Sequence, residues 1–77
     1  MNPEQFVTQF ESIFEEIEAG SLSLQTVFRD LPQWDSLATI GLLVMINTEY
    51  EVTLTGNEIK SATTIQDIYD LVAAKKG

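Results

Sequence analysis

Apolar residues recur at helical spacing in the first part of the chain. Asn2 and Pro3 suit the N-cap and the first position of a helix. The apolar side chains that follow fall on one stripe, and glutamates occupy most of the remaining positions. The stripe consists of Phe6, Phe10, Ile13, Phe14 and Ile17. Gly20 is typical of a helix end, so the pattern predicts a first helix from Pro3 to about Gly20.

The segment from Ser21 to Trp34 has no sustained helical period. It nevertheless contains more apolar residues than a freely solvated linker would, namely Leu22, Leu24, Val27, Phe28 and Leu31. Connections of this length are uncommon in small domains unless they are packed or functional. We therefore expect this loop to lie across the core, with Pro32 turning the chain towards the next helix.

A second helix is predicted from Ser36 to Tyr50, with Asp35 as its N-cap. The helix is unusual because it is apolar on more than one side. Its predicted core stripe consists of Leu37, Ile40, Leu43 and Val44. Other apolar residues point well away from that stripe: Leu42, Met45 and Ile46. A domain this small cannot surround such a helix, so we expect that loops cover it or that part of it meets a ligand or a partner.

The last third of the chain predicts one short and one longer helix. The residues from Val52 to Leu54 look extended, and Gly56 to Ser61 can form a short helical turn. Thr63 and Gln66 have the spacing of a capping box before a last helix. The stripe of that helix consists of Ile65, Ile68, Tyr69 and Val72, and Lys75 and Lys76 lie where a helix C-terminus favours cations. The predicted fold class is all-α, with three main helices, one short helix and a long first loop.

Composition removes several classes of function. The chain of 77 residues has no cysteine and no histidine, which excludes disulfides, thiolate zinc sites and catalysis by a thiol or an imidazole. Twelve acidic residues against four basic ones give a net charge of −8, so we expect no nucleic-acid partner. The longest apolar run, Gly41 to Ile46, is too short to cross a bilayer, and no basic segment leads into an apolar one near the start. We expect one soluble, cytoplasmic domain over residues 1–77, without membrane insertion.

Few of the remaining side chains are suited to catalysis. The carboxylate pairs Glu15 with Glu16 and Glu49 with Glu51 lie on predicted polar faces, which favours a solvated surface over acid–base chemistry. The acidic residues between 49 and 58 lack the alternating ligands and central glycine of a calcium loop. We therefore predict no catalytic residue and no metal site.

Ser36 lies at the start of the second helix, where a serine most often serves as a cap. Here Asp35 already supplies the cap, so Ser36 falls one position inside the helix and its hydroxyl should project outward. The positive end of the helix dipole favours a phosphate at that place. Ser36 is therefore a candidate for carrying a phosphate group.

The run Trp34-Asp35-Ser36-Leu37, followed by an apolar helix, resembles the attachment site of acyl carrier proteins and related thiolation domains. In that family the serine of a D-S-L motif carries phosphopantetheine through a phosphodiester. The resemblance covers nearly the whole chain, including the acidic charge, the long loop, Asp30 and Leu31 before the motif, and the threonine-capped last helix. It implies an acyl-carrier-like four-helix bundle over residues 1–77. It also implies covalent 4'-phosphopantetheine on Ser36, whose thiol holds acyl or aminoacyl groups as thioesters, in a carrier that catalyses nothing itself.

The same resemblance implies the partners. A phosphopantetheinyl transferase would install the arm from coenzyme A, with Asp35 beside the incoming phosphate helping to position magnesium. A ligase, ketosynthase or acyltransferase would then load or transfer the cargo. We expect the carrier to act as a monomer.

The chain departs from the carriers of fatty acid synthesis, which usually show L-G-x-D-S-L and a second helix rich in carboxylates. Here Trp34 precedes Asp35, and Ala38, Gly41, Asn47 and Thr48 stand where those carboxylates would be. We therefore expect a mainly apolar partner surface, and a role in a specialised pathway such as polyketide, aminoacyl or cell-surface-polysaccharide synthesis. The residues expected on that surface are Leu37, Ala38, Gly41, Leu42 and Met45.

Two other classes of function remain open. An unmodified acidic adaptor with the same fold would keep the apolar second helix without needing Ser36. Incubation with a promiscuous phosphopantetheinyl transferase distinguishes it from a carrier. An independent enzyme would require turnover of a thioester by the unmodified chain.

Overall fold

The computed structural model describes residues 2–76, which contain four α-helices and no β-strand. The helices are α1 (Pro3–Glu11), α2 (Ser36–Tyr50), α3 (Gly56–Ser61) and α4 (Ile65–Lys76), and a short 3-10 turn (Phe28–Asp30) precedes α2. The predicted all-α class with an acyl-carrier-like arrangement is confirmed. Within the described range, no helix has the length and apolar content needed to span a membrane.

The first helix ends at Glu11, so the predicted extension to Gly20 is wrong. Its start is as expected, because the Asn2 side chain accepts a hydrogen bond from the Gln5 amide at 3.1 Å. Its early end is explained by Glu11, whose buried carboxylate accepts hydrogen bonds from the amides of Gly20 at 3.0 Å and Leu22 at 2.9 Å. A buried carboxylate requires hydrogen-bond donors. Residues 12–22 fold back over the end of α1 and so bring these two amides to the Glu11 carboxylate.

The long first loop packs across the core, as predicted. Phe28 is fully buried, and Leu22, Leu24 and Leu31 are partly buried against the core. Backbone hydrogen bonds also join the loop to the start of α4, from the Ile65 amide to the Thr26 carbonyl (3.1 Å) and from the Gln66 amide to the Leu24 carbonyl (2.8 Å).

Helix α2 has the predicted bounds, but the predicted core stripe is wrong. The residues that it buries are spaced four apart: Ala38, Leu42, Ile46 and Tyr50. Leu37, Ile40 and Val44, predicted to be core, are 74%, 57% and 58% exposed, and Leu43 is half-buried. Both sides of the helix are apolar, so the hydrophobic pattern could not choose between them. Contacts with the rest of the chain made the choice.

The small residue Gly41 lets the segment that follows α1 approach α2 closely. A Cβ at this position would lie 2.8 Å from Cγ2 of Ile13, closer than real Cβ contacts. Ile13 is half-buried and Phe14 is buried, so the segment after α1 packs against the N-terminal half of α2.

The last two helices begin with reciprocal hydrogen bonds. Helix α3 has the predicted bounds and a capping box between Thr55 and Glu58. Before α4 the cap is Thr64, because its hydroxyl accepts from the Asp67 amide at 3.3 Å and the Asp67 carboxylate accepts from the amides of Thr63 and Thr64 at 2.9 and 3.1 Å. The predicted box between Thr63 and Gln66 is therefore wrong by one residue. The two amides hold the pKa of the Asp67 carboxyl below its usual value.

The C-terminal lysines join α4 to α3 and to the end of α2. Lys75 Nζ lies 3.2 Å from Glu58 Oε1, and Lys76 Nζ donates to the Tyr50 carbonyl at 3.2 Å. Ile65, Ile68 and Val72 are fully buried and Tyr69 is partly buried against the core, which agrees with the predicted stripe of the last helix.

Candidate functional site

An aromatic cluster holds the chain where it approaches α2. The Trp34 ring stacks on Phe10 with centroids 6.2 Å apart and an interplanar angle of 11°. It meets Phe28 edge-on at 4.7 Å and lies 6.3 Å from Phe14. Aromatic pairs at these separations add to the stability that burial provides. The tryptophan before Asp35 therefore fixes the start of α2 to the core.

Asp35 is the N-cap of α2, as predicted. Its Oδ1 accepts a hydrogen bond from the Ala38 amide at 2.8 Å. Its backbone carbonyl accepts from the Thr39 amide at 3.1 Å and the Thr39 hydroxyl at 3.2 Å. The bond to Oδ1 satisfies one of the amides that a helix start would otherwise leave without a partner, so the position of Asp35 is well defined.

Ser36 is the first residue of α2 and is exposed. Because Asp35 provides the N-cap, the Ser36 hydroxyl is not needed to cap the start of the helix. The helix that follows has 15 residues, and its N-terminal amides carry a partial positive charge. A phosphate ester on this hydroxyl would have access to solvent and a favourable dipole beside it. The site therefore fits a covalently attached phosphate group.

Beside Ser36 lies a set of apolar side chains that the fold does not bury. Leu37, Ile40 and Val44 are all more than half exposed along one side of α2, and we call them the exposed apolar face. Large exposed apolar patches on a protein surface commonly mark interaction sites. Within α2 the only charged residue is Glu49, near its end.

The residues predicted for partner binding divide into two groups. Leu37 is exposed, whereas Leu42 is fully buried and Ala38 is 7% exposed. Leu42 therefore cannot serve as a docking anchor, and Ala38 offers little surface. Gly41 faces Ile13, and Met45 is partly buried against the core. Ile40 and Val44, which the sequence assigned to the core, are exposed in place of Leu42.

A groove runs along the same part of α2. Its volume is about 610 Å³, and it lies between residues 13–16 and the N-terminal half of the helix. We call it the loop–α2 groove; its lining includes Ile13, Phe14, Asp35, Leu37, Ile40 and Gly41. The bonds of Glu11 to Gly20 and Leu22 fold back the segment that forms its outer wall. Sequence reasoning missed this role, because nothing in the pattern distinguishes Glu11 from the neighbouring glutamates.

A family model described as a phosphopantetheine attachment site matches residues 4–72. The match extends from α1 into α4 and includes Asp35 and Ser36. The chain therefore belongs to this family, and it is a carrier protein whose cofactor is covalent 4'-phosphopantetheine. No curated protein and no solved structure gave a significant match.

Membership of the family defines the general chemistry of the molecule. Carrier domains of this kind generally hold intermediates and do not catalyse, and they interact with a phosphopantetheinyl transferase and with biosynthetic enzymes. Within residues 2–76, no three His, Cys, Asp or Glu side chains are grouped in a way that could hold a metal ion.

Proposed function

We propose that Ser36 carries the 4'-phosphopantetheine arm and that the thiol of the arm holds acyl or aminoacyl groups as thioesters. The observation that supports this most directly is the exposure of Ser36 at the first position of α2, next to a neighbour that already caps the helix. A buried serine, or one used as the cap, would be a poor acceptor for a transferase. The carrier itself would perform no reaction on its cargo.

During attachment, Ser36 Oγ attacks the phosphate that bears pantetheine in coenzyme A. A new P–O bond forms, the nucleotide part of coenzyme A leaves with the other phosphate, and a base of the transferase takes the hydroxyl proton. Asp35 is the neighbour of Ser36 in the chain, and the hydrogen bond that its Oδ1 accepts from the Ala38 amide holds it in place. By the family resemblance, Asp35 would help to position the magnesium ion that the transferase uses in this step.

The exposed apolar face supports a specialised biosynthetic pathway over primary fatty acid synthesis. Leu37, Ile40 and Val44 offer apolar contacts beside Ser36, and the only carboxylate in α2 is Glu49. A loading ligase, ketosynthase or acyltransferase that fits this surface would dock through burial of apolar area more than through ion pairs. The proposal includes action as a monomer in the cytoplasm; sedimentation and cell fractionation test these two points.

The test uses coenzyme A, a promiscuous phosphopantetheinyl transferase and intact-mass measurement. The native chain should gain one arm, Ser36→Ala should gain none, and the control Ser23→Ala should be labelled like the native chain. Circular dichroism of Ser36→Ala should match that of the native chain, since Asp35 still caps α2. Labelling of Ser36→Ala would contradict the assignment of the site. A native chain that accepts no arm would favour the unmodified helical adaptor.

A further inference from the structure

Another groove lies between α3 and α4, and it shares no residue with the surroundings of Ser36. Its volume is about 490 Å³. We call it the α3–α4 groove; its lining includes Ser61, Ala62, Asp67, Asp70, Leu71 and Ala74. All of its lining residues lie between positions 57 and 74, outside the first loop and α2. A partner that fills this groove therefore contacts a different part of the carrier from one that fills the loop–α2 groove.

The surface inside the α3–α4 groove is mostly apolar. Ala62 is 3% exposed and Leu71 is half-buried, so these two residues form the floor, and Ala74 is exposed at the edge. The side chains of Ala62 and Ala74 are small, which leaves room above Leu71. An apolar side chain of a partner that entered this room would remove apolar surface from water.

Two exposed carboxylates border the floor on the α4 side. Asp67 and Asp70 are three residues apart, so they lie on the same face of the helix. Hydrogen bonds from the amides of Thr63 and Thr64 hold the pKa of the Asp67 carboxyl below its usual value, so this group is ionised at neutral pH. Asp70 Oδ1 accepts a hydrogen bond from Gln66 Nε2 at 2.9 Å. A carboxylate has about four acceptor positions, so both groups are able to accept further donors.

The α3 side of the groove has a carboxylate whose charge is already balanced. Glu58 Oε1 lies 3.2 Å from Lys75 Nζ. Among the described residues, none that lines the groove is basic, so Asp67 and Asp70 make it negative. An apolar floor with an acidic side is complementary to a segment that carries both apolar and basic side chains. An amphipathic helix presents such side chains three and four residues apart, which matches the spacing of Asp67 and Asp70.

The same charges argue against two other occupants. A second copy of this chain would bring a net charge of −8 to an acidic groove. A phosphate group or an anionic lipid surface would be repelled by Asp67 and Asp70. A basic segment is attracted by both carboxylates and by the overall charge of the carrier, and the apolar floor then adds short-range contacts.

We propose that the α3–α4 groove is a second docking surface, which binds a basic amphipathic helix of an enzyme that acts on the carrier. An apolar side chain of this helix contacts Leu71 and Ala62, and its lysine or arginine side chains pair with Asp67 and Asp70. Docking here holds the carrier through residues outside the Ser36 site. A partner linked to the carrier in this way raises the effective concentration of its active site at the arm.

The experiment uses a synthetic peptide of about 14 residues, four helical turns, with leucines on one face and lysines elsewhere. A control peptide has glutamine in place of every lysine. Binding to the ¹⁵N-labelled full chain is followed by NMR, which gives the dissociation constant and the residues whose amide signals shift. We expect the largest shifts within residues 57–74, and binding of the glutamine peptide about tenfold weaker, as for the loss of two exposed ion pairs.

Two results of this titration would overturn the proposal. One is the absence of binding by the lysine peptide up to about 1 mM. The other is a set of shifts that is largest along the exposed apolar face or the loop–α2 groove.

A matched pair of variants tests occupation of the groove. Ala74 and Ala19 are both exposed, but only Ala74 lines the α3–α4 groove. Ala74→Lys places a long basic side chain there and should weaken binding of the lysine peptide about tenfold, by repulsion and by loss of space. Ala19→Lys makes the same change in net charge and should weaken binding less than about twofold. Equal weakening by the two variants would mean that overall charge governs binding, and would overturn the proposal.

A second pair tests the acidic side of the groove. Asp70→Asn and Glu15→Gln each remove one negative charge, but Glu15 lines the loop–α2 groove. Asp70→Asn should weaken binding of the lysine peptide about two- to fivefold, the range expected for one exposed ion pair. Glu15→Gln should have a smaller effect. An effect of Glu15→Gln equal to or larger than that of Asp70→Asn would contradict docking between α3 and α4.

This proposal and the attachment of the arm at Ser36 fail separately. The peptide is titrated into the apo-protein, the protein with its arm, and Ser36→Ala, and the three dissociation constants should agree within about twofold, since the groove and Ser36 share no residue. Binding that requires the arm would overturn the α3–α4 groove as the site. Labelling from coenzyme A decides the attachment site independently, and Ala74→Lys should accept the arm as the native chain does.

Discussion

Helix α2 has two apolar sides, of which one is buried and the other is exposed. One side, formed by Ala38, Leu42, Ile46 and Tyr50, is buried against the other helices. The other side is the exposed apolar face of Leu37, Ile40 and Val44, which is more than half exposed. The two sides contain similar residues, so their chemical character does not explain why only one joins the core.

The difference is explained by the neighbours of each side. The buried side meets α1 and α4, where the Phe6 ring packs 5.6 Å from that of Tyr50 and the Tyr50 hydroxyl donates to Gln9. On the other side, the segment that follows α1 covers only the part near Gly41 and leaves Ile40 and Val44 open to water. Exposed apolar residues add little to stability, so we attribute their presence beside Ser36 to binding.

The largest expected effect is on the free energy of unfolding, and it distinguishes the buried side of α2 from the exposed side. Leu42→Ala, on the buried side, should lower the free energy of unfolding by about 2–5 kcal/mol, because it leaves a cavity in the core. Val44→Ala, on the exposed side, should change it by less than about 0.5 kcal/mol. Urea denaturation followed by circular dichroism measures both values.

A chain of this size has a stability of about 5 kcal/mol, so Leu42→Ala is expected to retain no more than about 3 kcal/mol. Ile46→Val provides a milder change on the same side, with an expected loss of about 0.5–1.5 kcal/mol. If Val44→Ala destabilised the protein as much as Ile46→Val, the division into a buried and an exposed side would be wrong.

A smaller effect is expected on partner binding, which should depend on the exposed side of α2 and not on the buried side. Acidic substitution at Ala38 or Gly41 would test this poorly, because Ala38 is buried and Gly41 has no room for a side chain beside Ile13. Val44→Glu places the charge on the exposed apolar face instead. We expect acyl transfer to the carrier's own partner enzyme to fall about fivefold or more, since losing an apolar anchor costs about 1 kcal/mol or more.

Transfer by a fatty-acid-synthesis ketosynthase should improve with the same variant, because its docking patch is basic. Gln25→Glu adds the same charge outside α2 and should leave both transfer rates close to those of the native carrier. Loaded carriers are compared by transfer rate at several salt concentrations. Equal slowing by Gln25→Glu would mean that overall charge, and not the exposed apolar face, governs docking.

The smallest effect concerns salt, which acts on the charged surface and leaves the apolar face of α2 largely unaffected. The net charge of −8 opposes folding by self-repulsion. Raising the salt concentration from about 0.01 M to about 1 M shortens the screening length from about 30 Å to about 3 Å. The melting temperature should rise by a few degrees, whereas transfer to the carrier's own partner should change little. A melting temperature that does not respond to salt would contradict this account.

Local signals in the sequence predicted several elements correctly. The bounds of α2 and α3 and the capping by Asp35 follow from residues close together in the chain, because a cap needs only a side-chain acceptor three residues before an amide. The stripe of Ile65, Ile68 and Val72 was also clear, since polar residues occupy the opposite side of α4. Where local preference and tertiary packing agree, the pattern is sufficient.

The errors fall where distant residues compete with local preference. The end of α1 depends on hydrogen bonds from Gly20 and Leu22 to Glu11, which lie nine and eleven residues away in the chain. The cap of α4 was misplaced by one residue, because Thr63 and Thr64 are both suitable and only the bonds with Asp67 distinguish them.

The sequence by itself determined the all-α class, the long packed loop, the lack of cysteine and histidine side chains, and the Trp34-Asp35-Ser36-Leu37 motif, through which it pointed to the phosphopantetheine carriers. These properties depend on composition and on residues that are near neighbours. Only the tertiary structure decided which side of α2 is buried, where α1 ends, and that Ile13 and Ile40 line one groove that begins beside Ser36. Burial is a property of several segments packed together. A helix that is apolar on both sides therefore shows its orientation only when its neighbours are in place.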